Sequence, residues 1–281
     1  MAIFKVIYLM SQNISKLKFM TNFLQKSKIC YYSKLAKFQA QKTYPDLLTT
    51  DLSQLISKKR KLQVFIFDDQ AFPWTSALES KNVEVHYYED YTRPVSQTNE
   101  KLKSYSVAKA DIVICDIHGV GTKRFHDMEG LGVLEEIRSN NPFLYLIAYT
   151  GDPGLITTRK NKPDCIDKIF SRDWAIDDFL LNFDEVINHF NKPKFRWAFI
   201  RKRLTYLGAT EKQIQEVQHK FVEKVLLCQK LQQKLQFDSN TTRELVFSSS
   251  NSELNSLPFL SDLGLKPIDL IGFFIPFLLE A

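Results

Sequence analysis

Three carboxylates, a hydroxyl and a guanidinium stand at the ends of four successive apolar runs between residues 62 and 191. LQVFIFDDQ ends in Asp68 and Asp69, ADIVICDIHG in Asp116, LYLIAYTG in Thr150 and CIDKIFSRD in Arg172. The runs are rich in β-branched and aromatic residues, the composition of strands. In an open parallel α/β sheet the carboxyl ends of the strands face one crevice, so these five side chains would converge there. Clustered Asp residues repel one another unless a hard cation sits among them, and Mg²⁺ with oxygen ligands meets that need. One carboxylate is then available as a nucleophile toward phosphorus, giving an aspartyl-phosphate. The hydroxyl and the guanidinium can hold the phosphoryl oxygens by hydrogen bonds and charge. The chemistry expected is phosphoryl acceptance.

The order of these residues resembles the receiver domain of bacterial two-component response regulators. The acidic pair Asp68–Asp69, the acceptor position at Asp116, Thr150 and a cation after the fifth strand follow that family's pattern. EGLGVLEEIR (129–138) resembles the start of the helix after the acceptor loop, and IDKIFSRDW (166–174) is similar to the fifth-strand segment. The resemblance covers one domain, residues 62–191. It implies a flavodoxin-like, doubly wound α/β fold with a five-stranded parallel sheet. It also implies phosphoryl transfer to Asp116 from a histidine kinase or phosphotransfer protein, with Mg²⁺ on Asp68, Asp69 and Asp116. Thr150 and Arg172 would stabilise the phosphoryl group. The chain is then a switch, not an enzyme.

The sequence also departs from that pattern. Arg172 stands where the family has Lys, and Asp173 where it has Pro. The aromatic switch position falls on Ile169, with Phe170 one place away. The acceptor loop DIHGVGTKRFHDMEG is long and carries Lys123, Arg124 and His126, and the first helix after the acidic pair is short, with Pro73 and Trp74 at its start. A receiver fold serving as a phosphorylation-independent interaction platform is therefore the alternative. CDIHGVGT (115–122) is also similar to the nucleophile motif of haloacid-dehalogenase-type phosphatases, with His118 as a candidate general acid. That family places this motif on its first strand and its acidic pair last, the reverse of the order here.

The net charge of +6 conceals an asymmetry. Residues 1–61 hold 12 Lys/Arg against two Asp/Glu, residues 62–191 hold 13 against 21, and residues 192–235 hold 11 against three. Basic arms flanking an acidic domain can bind nucleic acid or anionic membrane, or dock on that domain. Cys30, Cys115, Cys165 and Cys228 show neither paired spacing nor a metal-ligand pattern, which fits a reduced, cytoplasmic setting. AIFKVIYLM at the start is too short and poorly flanked for a signal peptide. IDLIGFFIPFLLEA at the end falls short of the ~20 apolar residues of a spanning helix. It is expected to pack within the chain.

Residues 1–61 read as a basic, mainly helical extension ending in KKRK (58–61). Phe19, Phe23, Tyr31, Tyr32 and Phe38 interleave there with lysines. Stacking on nucleic acid is one use of that pattern. Helical periodicity favours the other: aromatics in the core and lysines in solvent. Residues 192–236 read as a basic helical hairpin. Trp197, Ile200, Leu204 and Leu207 share one face, Gly208 marks a turn and Thr210 an N-cap. Ile214, Val217, Phe221, Val225, Cys228, Leu231 and Leu235 form a seam that would pack on the central domain or on another chain. No helix-turn-helix is evident. Residues 237–281 read as a Ser/Asn-rich linker and the apolar tail.

Overall fold

The computed structural model describes residues 26–40, 61–81, 83–91, 110–154, 156, 165–191, 193–236, 245–246 and 257–265. The KKRK run up to residue 60, Phe19, Phe23, most of the Ser/Asn-rich linker and the apolar tail from residue 268 lie outside them. Helix α1 spans 26–40. Strand β1 (Leu62–Phe67) leads to the five-residue α2 (Thr75–Glu79) and β2 (Val83–Tyr88). After β3 (Ile112–Asp116), the long loop folds into a single turn, α3 (Thr122–Phe125), and a 3₁₀ turn, His126–Met128. Then come α4 (Glu129–Asn140), β4 (Tyr145–Thr150), β5 (Lys168–Ser171) and α5 (Ile176–Asn191). Helices α6 (Pro193–Tyr206) and α7 (Glu211–Leu235) form the hairpin, and α8 (Phe259–Asp262) closes the described chain.

All four strand pairings are parallel and the order is β2-β1-β3-β4-β5. This is the flavodoxin-like, doubly wound order, whose switch point lies between β1 and β3. Every residue of β3 and β4 is buried, as expected of strands covered on both faces. Alternate residues serve opposite cores. Val64, Ile66, Ile114, Ile147, Tyr149 and Phe170 face one side with Leu78 of α2 and Phe179 and Phe183 of α5. Phe65, Phe67, Val113, Cys115, Leu146 and Ala148 face the other with Leu131, Val133, Leu134 and Ile137 of α4.

The hairpin shares the first of these cores. Trp197, Ile200, Leu204 and the α7 seam from Ile214 to Leu231 are buried in one cluster with the β4 and α5 residues. Gly208, at φ +90°, ends α6, with the Ala209 amide returning to the Leu204 carbonyl. Thr210 caps α7 in a reciprocal box with Gln213. The basic arm is not wholly solvated. Arg203 is 2% exposed and pairs with Asp167, whose other oxygen takes Arg138 at 2.6 Å and the Leu146 amide at 2.8 Å. This clasp joins the hairpin to the base of the sheet, just before β5 begins.

Two aromatics of α1 depart from expectation. Ala36 and Ala40 are buried and Tyr32 is partly covered, but Tyr31 and Phe38 are 62% and 54% exposed. The small alanines let the helix approach its neighbours closely, and that choice of face turns the two rings outward.

Candidate phosphoryl-acceptor site

β1 and β3 are adjacent, so the residues that follow them face each other across the switch point. Asp68 and Asp116 are buried there, at 0% and 2% exposure, while Asp69 is exposed. One carboxylate oxygen from each of Asp68, Asp69 and Asp116 lies within 4.8 Å of the others. The backbone is shaped to allow this crowding. A Cβ on Gly119 would fall 2.1 Å from Asp69 Oδ2, and one on Gly130 would fall 1.9 Å from the Asp116 carbonyl oxygen. Only glycine admits such contacts, which brings the start of α4 against β3.

Arg172 extends from the end of β5 into the same cluster. Its Nη2 stands 2.8 Å from Asp68 Oδ1 and 2.8 Å from Asp116 Oδ2, and its guanidinium lies 5.3 Å from the centre of the Tyr149 ring. Burial alone would lower the guanidinium's pKa, but Asp116 and Asp68 outweigh it and hold the group above its ordinary value. Asp116 behaves conversely. Burial pushes its carboxyl up to about 6; the His118 amide, 3.2 Å from Oδ1, and Arg172 oppose that rise, and Asp68 and Asp69 add to it.

Asp68 is fixed by local bonds. Its Oδ1 accepts the Gln70 amide at 3.0 Å, and its carbonyl accepts the Tyr87 hydroxyl at 2.8 Å. Its Oδ2 is buried without a hydrogen-bond partner among the described residues. An orphaned carboxylate oxygen beside two further carboxylates is an all-oxygen donor set, which fits a hard divalent cation such as Mg²⁺. Thr150 is fully buried at the same end of the sheet. Its Oγ1 accepts the Asp152 amide at 3.1 Å, so the hydroxyl proton is left to donate elsewhere.

The structure thus gathers Asp68, Asp69, Asp116 and Arg172 into direct proximity and sets Thr150 beside them on the next strand. Ile169 packs on the α4 face, whereas Phe170 is buried on the opposite face against Trp174 and Phe179. The ring that meets the guanidinium is Tyr149, which sequence reasoning missed. Its register opposite Asp116 is the signal that identifies it. His118, weighed as a proton donor, has its Nδ1 3.2 Å from Glu129 Oε2, and Glu129 sits at φ +44°. A positive φ at a non-glycine residue is strained backbone of the kind that clusters at functional sites.

Sheet order and crevice chemistry together define a receiver-like domain. No model of a known protein family matches the sequence, and no curated protein matches it. Among solved structures, the chain is similar to the signal receiver domain of an HD domain-containing protein from Pseudomonas fluorescens Pf-5. Identity is 21%, with 47% of this chain and 90% of that one covered, at a TM-score of 0.34. It is similar to the chemotaxis response regulator CheY4 of Vibrio cholerae at 17% identity, covering 45% and 98% with a TM-score of 0.34. The receiver domain of NtrX from Brucella abortus follows at 15% identity, covering 44% and 98% with a TM-score of 0.33. Among the described residues no helix is long and apolar enough to cross a membrane.

Proposed function

We propose that this chain is a two-component-type signalling protein whose Asp116 accepts a phosphoryl group and so switches its contacts with partners. The observation that carries this reading is the cluster of Asp68, Asp69 and Asp116 at the switch point, with Arg172 across it. A phosphohistidine on a histidine kinase or phosphotransfer protein is the donor. An Asp116 oxygen forms a bond to phosphorus as the donor's P–N bond breaks and the imidazole leaves. Mg²⁺ held by Asp68, Asp69 and Asp116 would neutralise charge on the phosphoryl oxygens. Arg172 is placed to follow that new charge, and the Thr150 proton is available to a phosphoryl oxygen. The chain is an acceptor and a switch, not an enzyme, and works in the cytoplasm.

One observation favours the runner-up, a receiver-fold platform that needs no phosphate. Arg172 already bridges Asp68 and Asp116, supplying part of the countercharge a metal would bring. Intact mass after incubation with Mg²⁺ and acetyl phosphate separates the two readings, beside an Asp116→Asn control. A one-phosphate gain that needs both Mg²⁺ and Asp116 supports the acceptor. No gain, together with no thermal shift from Mg²⁺ and beryllofluoride, sinks it and leaves the platform.

A further inference from the structure

Tyr149 is fully buried, yet among the described residues its hydroxyl has no hydrogen-bond partner, and neither has the buried indole N–H of Trp74. Native interiors leave few such groups, because each bears its desolvation cost without a bond in return. The two are neighbours of Arg172. Burial raises the pKa of the Tyr149 phenol, Arg172 is foremost among the groups that lower it, and the Trp74 N–H acts on the same oxygen. Both donors therefore lie close to that oxygen, but neither is aligned to bond with it. Arg172 spends a single nitrogen, Nη2, on both Asp68 and Asp116, at 2.8 Å each. A guanidinium has five N–H donors in a planar fork, so those of Nη1 and Nε remain to be given. The main chain of Arg172 is fixed beside β4, its amide donating to the Thr150 carbonyl at 2.9 Å, and its guanidinium lies 5.3 Å from the centre of the Tyr149 ring.

We propose that the Tyr149 hydroxyl is a second seat for Arg172, taken when Mg²⁺ occupies the three carboxylates, which makes Tyr149 a positioning residue of the site. The inference rests on the reading of that cluster as a Mg²⁺-dependent phosphoryl acceptor. Two positive groups on the same buried carboxylates repel each other strongly, so the guanidinium leaves Asp68 and Asp116 as the metal enters. Solvent is one destination, since the Arg172 side chain is 30% exposed. The Tyr149 oxygen is the other: it is an acceptor, it is buried and it lacks a donor. The ring already attracts the cation through its face, so a short swing adds a charge-assisted hydrogen bond and keeps that contact. Held there, Arg172 stays in the crevice, where the charge of a phosphoryl group can draw it back.

The test is isothermal titration calorimetry of Mg²⁺ into the full chain and into Tyr149→Phe, Arg172→Ala and the double variant. Tyr149→Phe keeps the ring and its edge contact with Phe72, so in chelator it melts no lower than the parent. It weakens Mg²⁺ binding about tenfold, the worth of one hydrogen bond to a charged group. Arg172→Ala binds Mg²⁺ more tightly than the parent, and there removal of the hydroxyl changes nothing, because no guanidinium needs the seat. A purely structural role for Tyr149 would weaken binding alike with and without Arg172. The Trp74 indole N–H resonance, assigned by its absence from Trp74→Phe, reports the swing: it moves with Mg²⁺ in the parent and much less in Arg172→Ala. Mg²⁺ binding by Tyr149→Phe as tight as that of the parent overturns the seat, sends Arg172 to solvent and leaves the acceptor reading standing. An equal loss in both backgrounds overturns it as well. Absence of Mg²⁺ binding from both the parent and Arg172→Ala overturns the inference and the acceptor reading together.

Discussion

Neutralising Asp116 stabilises the metal-free protein, and does so increasingly as the pH rises. Burial lifts this carboxyl from 3.8 to about 6 in the folded chain, while the unfolded chain keeps the ordinary value. Below both values the group is protonated in either state and contributes nothing. Between them the folded chain holds a proton that the unfolded chain has released, so stability falls as the pH rises. Above about pH 6 the full penalty is present, and at 1.36 kcal/mol per pH unit of displacement it reaches about 3 kcal/mol. Asn carries no such charge, and Asp68 remains to hold Arg172. The advantage of Asp116→Asn over the parent therefore grows from near zero at about pH 4 to at most about 3 kcal/mol at about pH 8, or roughly 6–12 °C. Urea unfolding followed by tryptophan fluorescence, in chelator across that range, reads the difference directly. On the proposed function, saturating Mg²⁺ reverses the order, because the ionised carboxylate of the parent would bind the cation and the amide would not. A difference that is flat with pH, or a variant less stable than the parent at pH 8 in chelator, would refute the reasoning.

Arg172→Ala leaves Asp68 and Asp116 without their shared cation, so in chelator the variant loses about 1–3 kcal/mol. Mg²⁺ then raises its melting temperature more than that of the parent, and equal shifts would show that Arg172 and the metal do not share the site. Gly130→Ala places a methyl group 1.9 Å from the Asp116 carbonyl oxygen and must displace α4 or β3. A loss of at least ~2 kcal/mol in urea unfolding is expected, and a change within experimental error would contradict the close approach. Asp167→Ala removes the carboxylate that pairs with both Arg138 and Arg203 in the interior. It should cost about 3–5 kcal/mol and loosen the hairpin. Hydrogen exchange checks this: protection lost in α6 and α7 ahead of β3 supports the clasp, and unchanged protection refutes it.

Four of the five strands and the polar side chains at their ends were legible because the signal is local: β-branched runs halted by Asp, Thr or Arg; β2 (Val83–Tyr88), whose residues are half-exposed, was not among them. The hairpin was legible for the same reason, since Gly208 and Thr210 are stop and start signals and the α7 seam repeats at helical spacing. The Asp167 clasp was not legible. Arg138 lies at the end of an otherwise ordinary helix, and Arg203 sits in a basic run with no local signal of a partner. Their common partner is 29 residues from one and 36 from the other. Pairing at that range follows only from the strand order, which brings the start of β5 beside β4 and so toward the end of α4. The same fact places the clasp at the amino end of the strands, opposite the carboxyl end that holds Asp116. A charge gained at Asp116 acts on Arg172 and Tyr149 directly, whereas the hairpin is held from the far side of a shared apolar core. Any coupling between them would meet the packing of Tyr149, which touches Arg172, and of Phe170 and Phe179, which share the hairpin's cluster. The sheet thus keeps the candidate acceptor site at one end and anchors the basic arm at the other, and the aromatic layer on the α5 face lies between them.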